Sequence, residues 1–134
     1  IGCRTYLEQA GIPWSTVHVA VGHGTTRDGY AAASRLLTDH PWLTGLVCGN
    51  DCMAMGAYAA IREQGLRVRE DVAVIGIDDQ ELIADQVHPA LTTVALPFEE
   101  MGQVAVSHLL ALMEGEEVPA ETLLPGTIIR RFSA

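Results

Sequence analysis

Three short stretches carry the side chains best suited to chemistry: Gly22-His23-Gly24, Asn50-Asp51 and Asp78-Asp79. An asparagine amide offers two N–H donors and an acceptor oxygen, and an ionised aspartate offers two acceptor oxygens. That inventory suits the hydroxyls of a sugar or a nucleoside. The same residues also have plainer duties. Asn50 and Asp51 are good helix caps, and Asp78 with Asp79 can end a strand and cap the next element. Neighbouring carboxylates usually point apart, which argues against an acid–base dyad sharing one proton. Gly22-His23-Gly24 lacks both glycine-rich phosphate patterns, G-x-x-x-x-G-K-[ST] and G-x-G-x-x-G. His23 reads as a loop histidine rather than a base. There is no G-x-S-x-G, and no Ser, Cys or His has neighbours that would activate it as a nucleophile. Cys48 and Cys52 are separated by three residues, with no second ligand pair at zinc spacing. No metal and no cofactor is expected.

These residues sit where an α/β sheet would place a ligand. Residues 2–10 have helical character, and Gly11 with Pro13 stops them. Residues 17–21 alternate around His18 and predict a short strand. Thr25 opens a helix with Asp28 in capping-box position, and the helix runs through Leu36 and Leu37 toward Asp39. Residues 43–48 predict a second strand. After Asn50 and Asp51, residues Met53, Ala54, Ala57, Ala60 and Ile61 recur at helical period, and Gly65 is a natural stop. Residues 72–77 are apolar at almost every position, which predicts a strand buried on both faces, as in a parallel sheet covered by helices. A short helix is expected over residues 81–85 and an extended piece over 91–94. Pro97 opens a helix with Phe98, Met101, Ala105, Leu109 and Leu112 on one stripe, ending at Gly115. Residues 122–124 and 127–130 are two last extended runs. Such alternation predicts an α/β fold, a doubly wound and mostly parallel sheet. In it, ligands bind outside the carboxyl ends of the strands, where all three stretches fall.

Composition narrows the function. The chain has 134 residues, 49% hydrophobic and 19% charged. That supports one packed domain, its core built from Ala, Val, Leu and Ile because aromatics are only 5%. A net charge of -9 excludes nucleic-acid binding by this stretch alone, since phosphates need clustered Lys and Arg. The pairs Arg67 with Arg69 and Arg130 with Arg131 read as solvated edges. No apolar run is long enough to span a membrane. Three cysteines, an odd number without a disulfide framework, favour a reducing, cytoplasmic compartment.

Four segments in order resemble LacI/GalR-family transcription regulators. Gly49-Asn50-Asp51-Cys52-Met53-Ala54-Met55-Gly56 is similar to the family's ANDxMAxG motif. Leu66-Arg67-Val68-Arg69-Glu70-Asp71-Val72-Ala73-Val74-Ile75-Gly76-Ile77-Asp78-Asp79 resembles its run ending in a D-D pair. Pro89-Ala90-Leu91-Thr92-Thr93-Val94, followed by Glu99-Glu100-Met101-Gly102, resembles its P-x-L-T-T-V…M-G segment, and Leu123-Leu124-Pro125 before residues 128–131 resembles its end. The resemblance implies a partial periplasmic-binding-protein-like type I lobe. It implies a small-molecule effector, a sugar or another small polar metabolite, bound between two lobes. It also implies a homodimer, and operator DNA held by a helix-turn-helix headpiece absent from this chain. Residues 1–96 would form the C-terminal lobe, 97–124 a helix and strand of the N-terminal lobe, and 125–134 the return. Matching the motifs assigns effector contacts to Asn50, Asp78 and Phe98, while Asp51 and Asp79 look structural. Gly24 stands where the family often has an aromatic and Leu96 where Gln is frequent, which implies a roomier and less polar pocket. A family arginine clamp would fall just before Ile1. The helix over residues 51–64 resembles the family's dimer helix, and its small residues would allow close approach. Two other readings share the fold: an exported solute-binding protein, and an enzyme using Asp78 or His23.

Overall fold

The computed structural model describes residues 2–134. The chain runs through α1 (Gly2–Gln9), a 3-10 turn (Trp14–Thr16), α2 (Thr26–Asp39), β1 (Gly45–Val47), α3 (Asp51–Glu63) and β2 (Ala73–Asp78). It continues through α4 (Glu81–Ala84), β3 (Thr92–Ala95), α5 (Phe98–Met113) and β4 (Thr127–Ile129). The strands form one sheet in the order β1-β2-β3-β4. The first three are parallel, with Leu46 opposite Val74 and Ile75 opposite Thr92. The last is antiparallel, with Ala95 opposite Thr127. The sheet is therefore mostly parallel, as the alternation of elements predicts.

Local chemistry sets the helix ends. The Thr25 hydroxyl accepts from the Asp28 N–H at 3.1 Å and starts α2. Asp28 does half of what a capping box asks, because its carboxylate reaches back to the His23 N–H instead. At the end of α3, Gly65 turns into the left-handed region at φ 74. Its N–H donates to Arg62 and the Leu66 N–H to Ile61, which closes the helix with a Schellman motif.

The core lies where α2 crosses α3 and where α3 covers the sheet. Leu37, Leu46, Ala54, Ala57, Ile61, Val72, Val74 and Leu91 are all buried there. The crossing is unusually close. A Cβ at Gly56 would lie 2.0 Å from the Thr26 carbonyl oxygen, and one at Gly29 would lie 2.2 Å from that of Met53. Two backbones can approach this way only where neither carries a side chain. The Tyr30 hydroxyl closes the far end of the crossing on Glu63 at 2.5 Å. Ser133, fully buried, donates to the Val74 carbonyl and accepts from the Thr92 N–H, so the C-terminal residues are stitched into the sheet.

Five expectations change. Residues 17–21 are not a strand: they run beside β1 across a cavity of about 890 Å³ lined by Val17, Val19, Leu43 and Val47. They are held by ring stacking of His18 on His40, centroids 3.5 Å apart, with Trp42 edge-on. Residues 122–124 form no strand. β2 is not equally buried on its two faces. Val74 and Gly76 are buried under α3, whereas Ile75 and Ile77 on the other side are only half-buried. The small residues of α3 do not face outward, because Ala54, Gly56, Ala57 and Ala60 are consumed by packing within the chain. Finally, Arg131 is not a solvated edge. Its side chain is 15% exposed and pairs with Asp79 at 2.8 Å and with Asp85.

In contrast to α3, α5 has none of its 16 residues buried. Phe98, Met101, Val106, Leu109, Leu110, Leu112 and Met113 all lie on the surface.

Candidate functional site

The carboxyl ends of β1 and β2 open onto the N-terminus of α3. Asn50 caps that helix: its Oδ1 accepts from the Met53 N–H at 2.8 Å. Its Nδ2 donates to the Gly24 carbonyl at 3.0 Å. Gly24 lies at φ +84, and a Cβ there would sit 3.3 Å from Asn50 Nδ2. An L side chain at this position would be strained and would crowd the asparagine, so the glycine keeps open the place above Asn50. Each end of the Asn50 amide retains one hydrogen-bonding position after these contacts, a second N–H and a second lone pair.

Asp51 is fully buried, and both of its oxygens are occupied. Oδ1 accepts from the Thr93 hydroxyl at 2.6 Å and Oδ2 from the Gln80 N–H at 2.8 Å. Gly76 is required beneath it, since a Cβ there would lie 2.1 Å from Asp51 Oδ1. Asp51 therefore ties α3 to β3 and to the loop after β2, the structural role that the resemblance implies.

Where β2 passes into that loop, two consecutive non-glycine residues have positive φ, Asp78 at 112 and Asp79 at 54. Aspartate tolerates such a backbone better than most residues, at a cost on the order of 1–3 kcal/mol each. Surrounding contacts hold it. Arg131 pairs with Asp79. Gln80 Nε2 donates to Asp78 Oδ2 at 3.2 Å. Asp78 Oδ1 has no partner among the described residues, and Asp78 is half-buried at the strand end. Burial, with the Asp51 charge second, pushes the nearby Cys48 thiol up to about 12, so it stays protonated and apolar in behaviour. Cys48 is thus a core residue. Among the described residues no three His, Cys, Asp or Glu side chains gather as a metal site.

The four sequence-assigned residues fall into two groups. Gly24 and Asn50 are in direct contact, and Asp78 joins them through Asp51 and Gln80. Phe98 is 58% exposed at the start of α5, three residues beyond Ala95, the β3 partner of Asp78. Its ring stands at the same end of the sheet without closing on the others. Sequence reasoning missed Gln80, Thr93 and Arg131. Thr93 lies within the P-x-L-T-T-V segment and could have been noticed there. Gln80 directly follows the D-D pair, but nothing about a lone glutamine signals three contacts.

Residues 1–134 match the family model described as a periplasmic binding protein-like domain. The chain belongs to that family, in the form found in LacI-type regulators. It is 40% identical over 136 residues to the HTH-type transcriptional regulator MalR of Streptomyces coelicolor, covering 98% of this chain and 39% of that protein. Among solved structures it is similar to the transcriptional regulator CelR in complex with cellobiose, at TM-score 0.91 and 33% identity, over 99% of this chain and 41% of that one. It is also similar to the lac repressor dimer bound to operator and the anti-inducer ONPF, at TM-score 0.89 and 34% identity, over 98% of this chain and 45% of that one. The chain thus spans less than half the length of these relatives. No helix among the described residues is long and apolar enough to cross a membrane.

Proposed function

We propose that this chain is the effector-sensing portion of a LacI/GalR-type transcription regulator, a cytoplasmic repressor that acts by binding and not by catalysis. One observation carries the reading. At the carboxyl end of the sheet the fold presents an asparagine amide and an aspartate carboxylate, each fixed on one side by the protein and open on the other. Fixed acceptors and donors at a strand-end crevice recognise a polyhydroxyl ligand. A disaccharide is the favoured class, because Gly24 leaves open space above Asn50, Leu96 is apolar, and the relative CelR is seen with cellobiose. Phe98 supplies a ring face for one sugar unit.

Effector binding would be read out as a shift between lobe arrangements. Residues 1–96 and 125–134 belong to one lobe, and residues 97–124 to a second. The exposed stripe of α5 supports this division, since an apolar helix with no buried residue needs a partner surface. Operator contact belongs to a headpiece elsewhere in the protein, because this stretch is strongly acidic. The dimer contact lies on the outer side of α3 and on α4. There Met55 and Leu82 are exposed, Leu82 to 88%, and the related lac repressor is seen as a dimer.

Calorimetry on the full-length protein with cellobiose, lactose and maltose tests the site. Asn50→Ala and Asp78→Ala are expected to abolish binding of whichever sugar the wild type takes while the protein stays folded, each melting lower by the equivalent of about 1–2 kcal/mol for the lost helix cap or the strained alanine. Undiminished affinity in both variants overturns the assignment.

A further inference from the structure

Gln80 makes three contacts, one of them to the proposed effector carboxylate. Its N–H donates to Asp51 Oδ2 at 2.8 Å. Its side-chain Nε2 donates to Asp78 Oδ2 at 3.2 Å. Its Oε1 accepts from the Cys52 thiol at 3.7 Å. The orientation of the amide is fixed by chemistry, because only the NH2 end can face a carboxylate and only the oxygen can accept from a thiol. Asp51, the anchor of this chain of contacts, is itself locked by Thr93 on β3. The result is a rigid line from the core to one oxygen of Asp78, which sits on a backbone at φ 112 that few L residues adopt.

We infer that Gln80 is a positioning residue for the effector site, an inference that rests on the function proposed above. By occupying one position on Oδ2 it holds the carboxylate by the protein and not by the ligand, and leaves Oδ1 as the one Asp78 oxygen without a protein partner among the described residues. One carboxylate oxygen has two lone pairs, which suits a vicinal diol of a sugar ring. A freely rotating carboxylate would have to be ordered at the moment of binding, and an ordered one would not. The two carboxylate oxygens also become unequal, which favours one ring stereochemistry over its epimer.

The experiment uses the full-length protein, with cellobiose, lactose and maltose as probes and Asp78→Ala as reference. Gln80→Ala is expected to weaken binding of the preferred sugar about ten-fold or more, the ordinary range for a hydrogen bond to a charged group. Gln80→Glu keeps the length of the side chain, its backbone contact to Asp51 and an acceptor for Cys52, but replaces the donor by a carboxylate. Its affinity should be poor at pH 8 and recover relative to wild type as the pH falls toward 4, because a carboxyl facing the Asp78 and Asp51 carboxylates is raised above its ordinary range, holds a proton there and can donate to Asp78. A merely structural role would not produce that pH profile. Wild-type affinity for Gln80→Ala and Gln80→Glu at every pH, with Asp78→Ala dead, overturns the positioning role and leaves the effector site standing. No loss in Asp78→Ala, or no binding of any of the three sugars by the wild type, overturns the site reading and this inference with it.

Discussion

α3 and α5 are both helices of more than three turns, and α5 carries the larger apolar side chains. Yet α3 buries seven residues and α5 buries none. The difference lies in what each meets. α3 presents Gly56, with Ala57 and Ala60 on the same side, to a helix that approaches to backbone contact, and small side chains there gain dense packing rather than area. α5 presents leucines and methionines to nothing within the described residues. The largest apolar side chains in a chain therefore do not locate its core. Proximity does.

The sharpest way to break this contrast is one substitution at two glycines. Gly56→Ala puts a methyl group 2.0 Å from the Thr26 carbonyl, so the helices must separate. Circular dichroism on heating should show several kcal/mol of lost stability, about the upper end for overpacking. Gly102→Ala in α5 meets nothing within 4 Å and should instead stabilise by up to about 1 kcal/mol through helix propensity alone. Equal effects at the two positions would sink the comparison. Next in size is Asp51→Asn, which turns one buried acceptor into a donor facing Thr93 or Gln80. About 2–4 kcal/mol should be lost in urea titration, and the protein should keep its fold. Arg131→Met comes third. It leaves Asp79 without its cation, and about 1–2 kcal/mol is expected once the exposure of Asp85 is allowed for.

The smallest effect is Asp71→Asn. Hydrogen bonds from the Arg67 side chain and backbone hold the Asp71 carboxyl down at about 2, against an ordinary 3.8. A group depressed on folding contributes stability above its unfolded value and loses it as pH falls through its folded one. The variant should therefore melt slightly below wild type at pH 7, and the gap should close between pH 3.8 and 2. A gap that persists at pH 2 would show that Arg67 and Asp71 matter through packing rather than charge.

Much of this could be read from the residues. The caps at Thr25 and Asn50 and the stop at Gly65 obey local rules, and local rules need only neighbours. The strand-end placement of Asn50 and Asp78 follows from element order. The features that escaped depend on distant partners. Alternation around His18 cannot say whether a strand finds an edge to pair with, and residues 17–21 do not. The small residues of α3 suited a partner helix, but period alone does not reveal that the helix they meet is α2 of the same chain. Arg131 pairs with Asp85, 46 residues away, and Gln80 reaches Asp51 across 29. Neither separation leaves a mark in a single sequence.

β4 lies antiparallel beside β3, with Ala95 facing Thr127. Strands so paired are the two arms of a hairpin, about 5 Å apart. Residues 96–126, including all of α5, are then the long connection at the tip of that hairpin. In an engineering sense the sheet has a ready seam. Deleting the excursion and joining Ala95 to Thr127 through a two-residue Asn-Gly turn would leave an ordinary β-hairpin edge, and the same two ends would accept a foreign domain in its place.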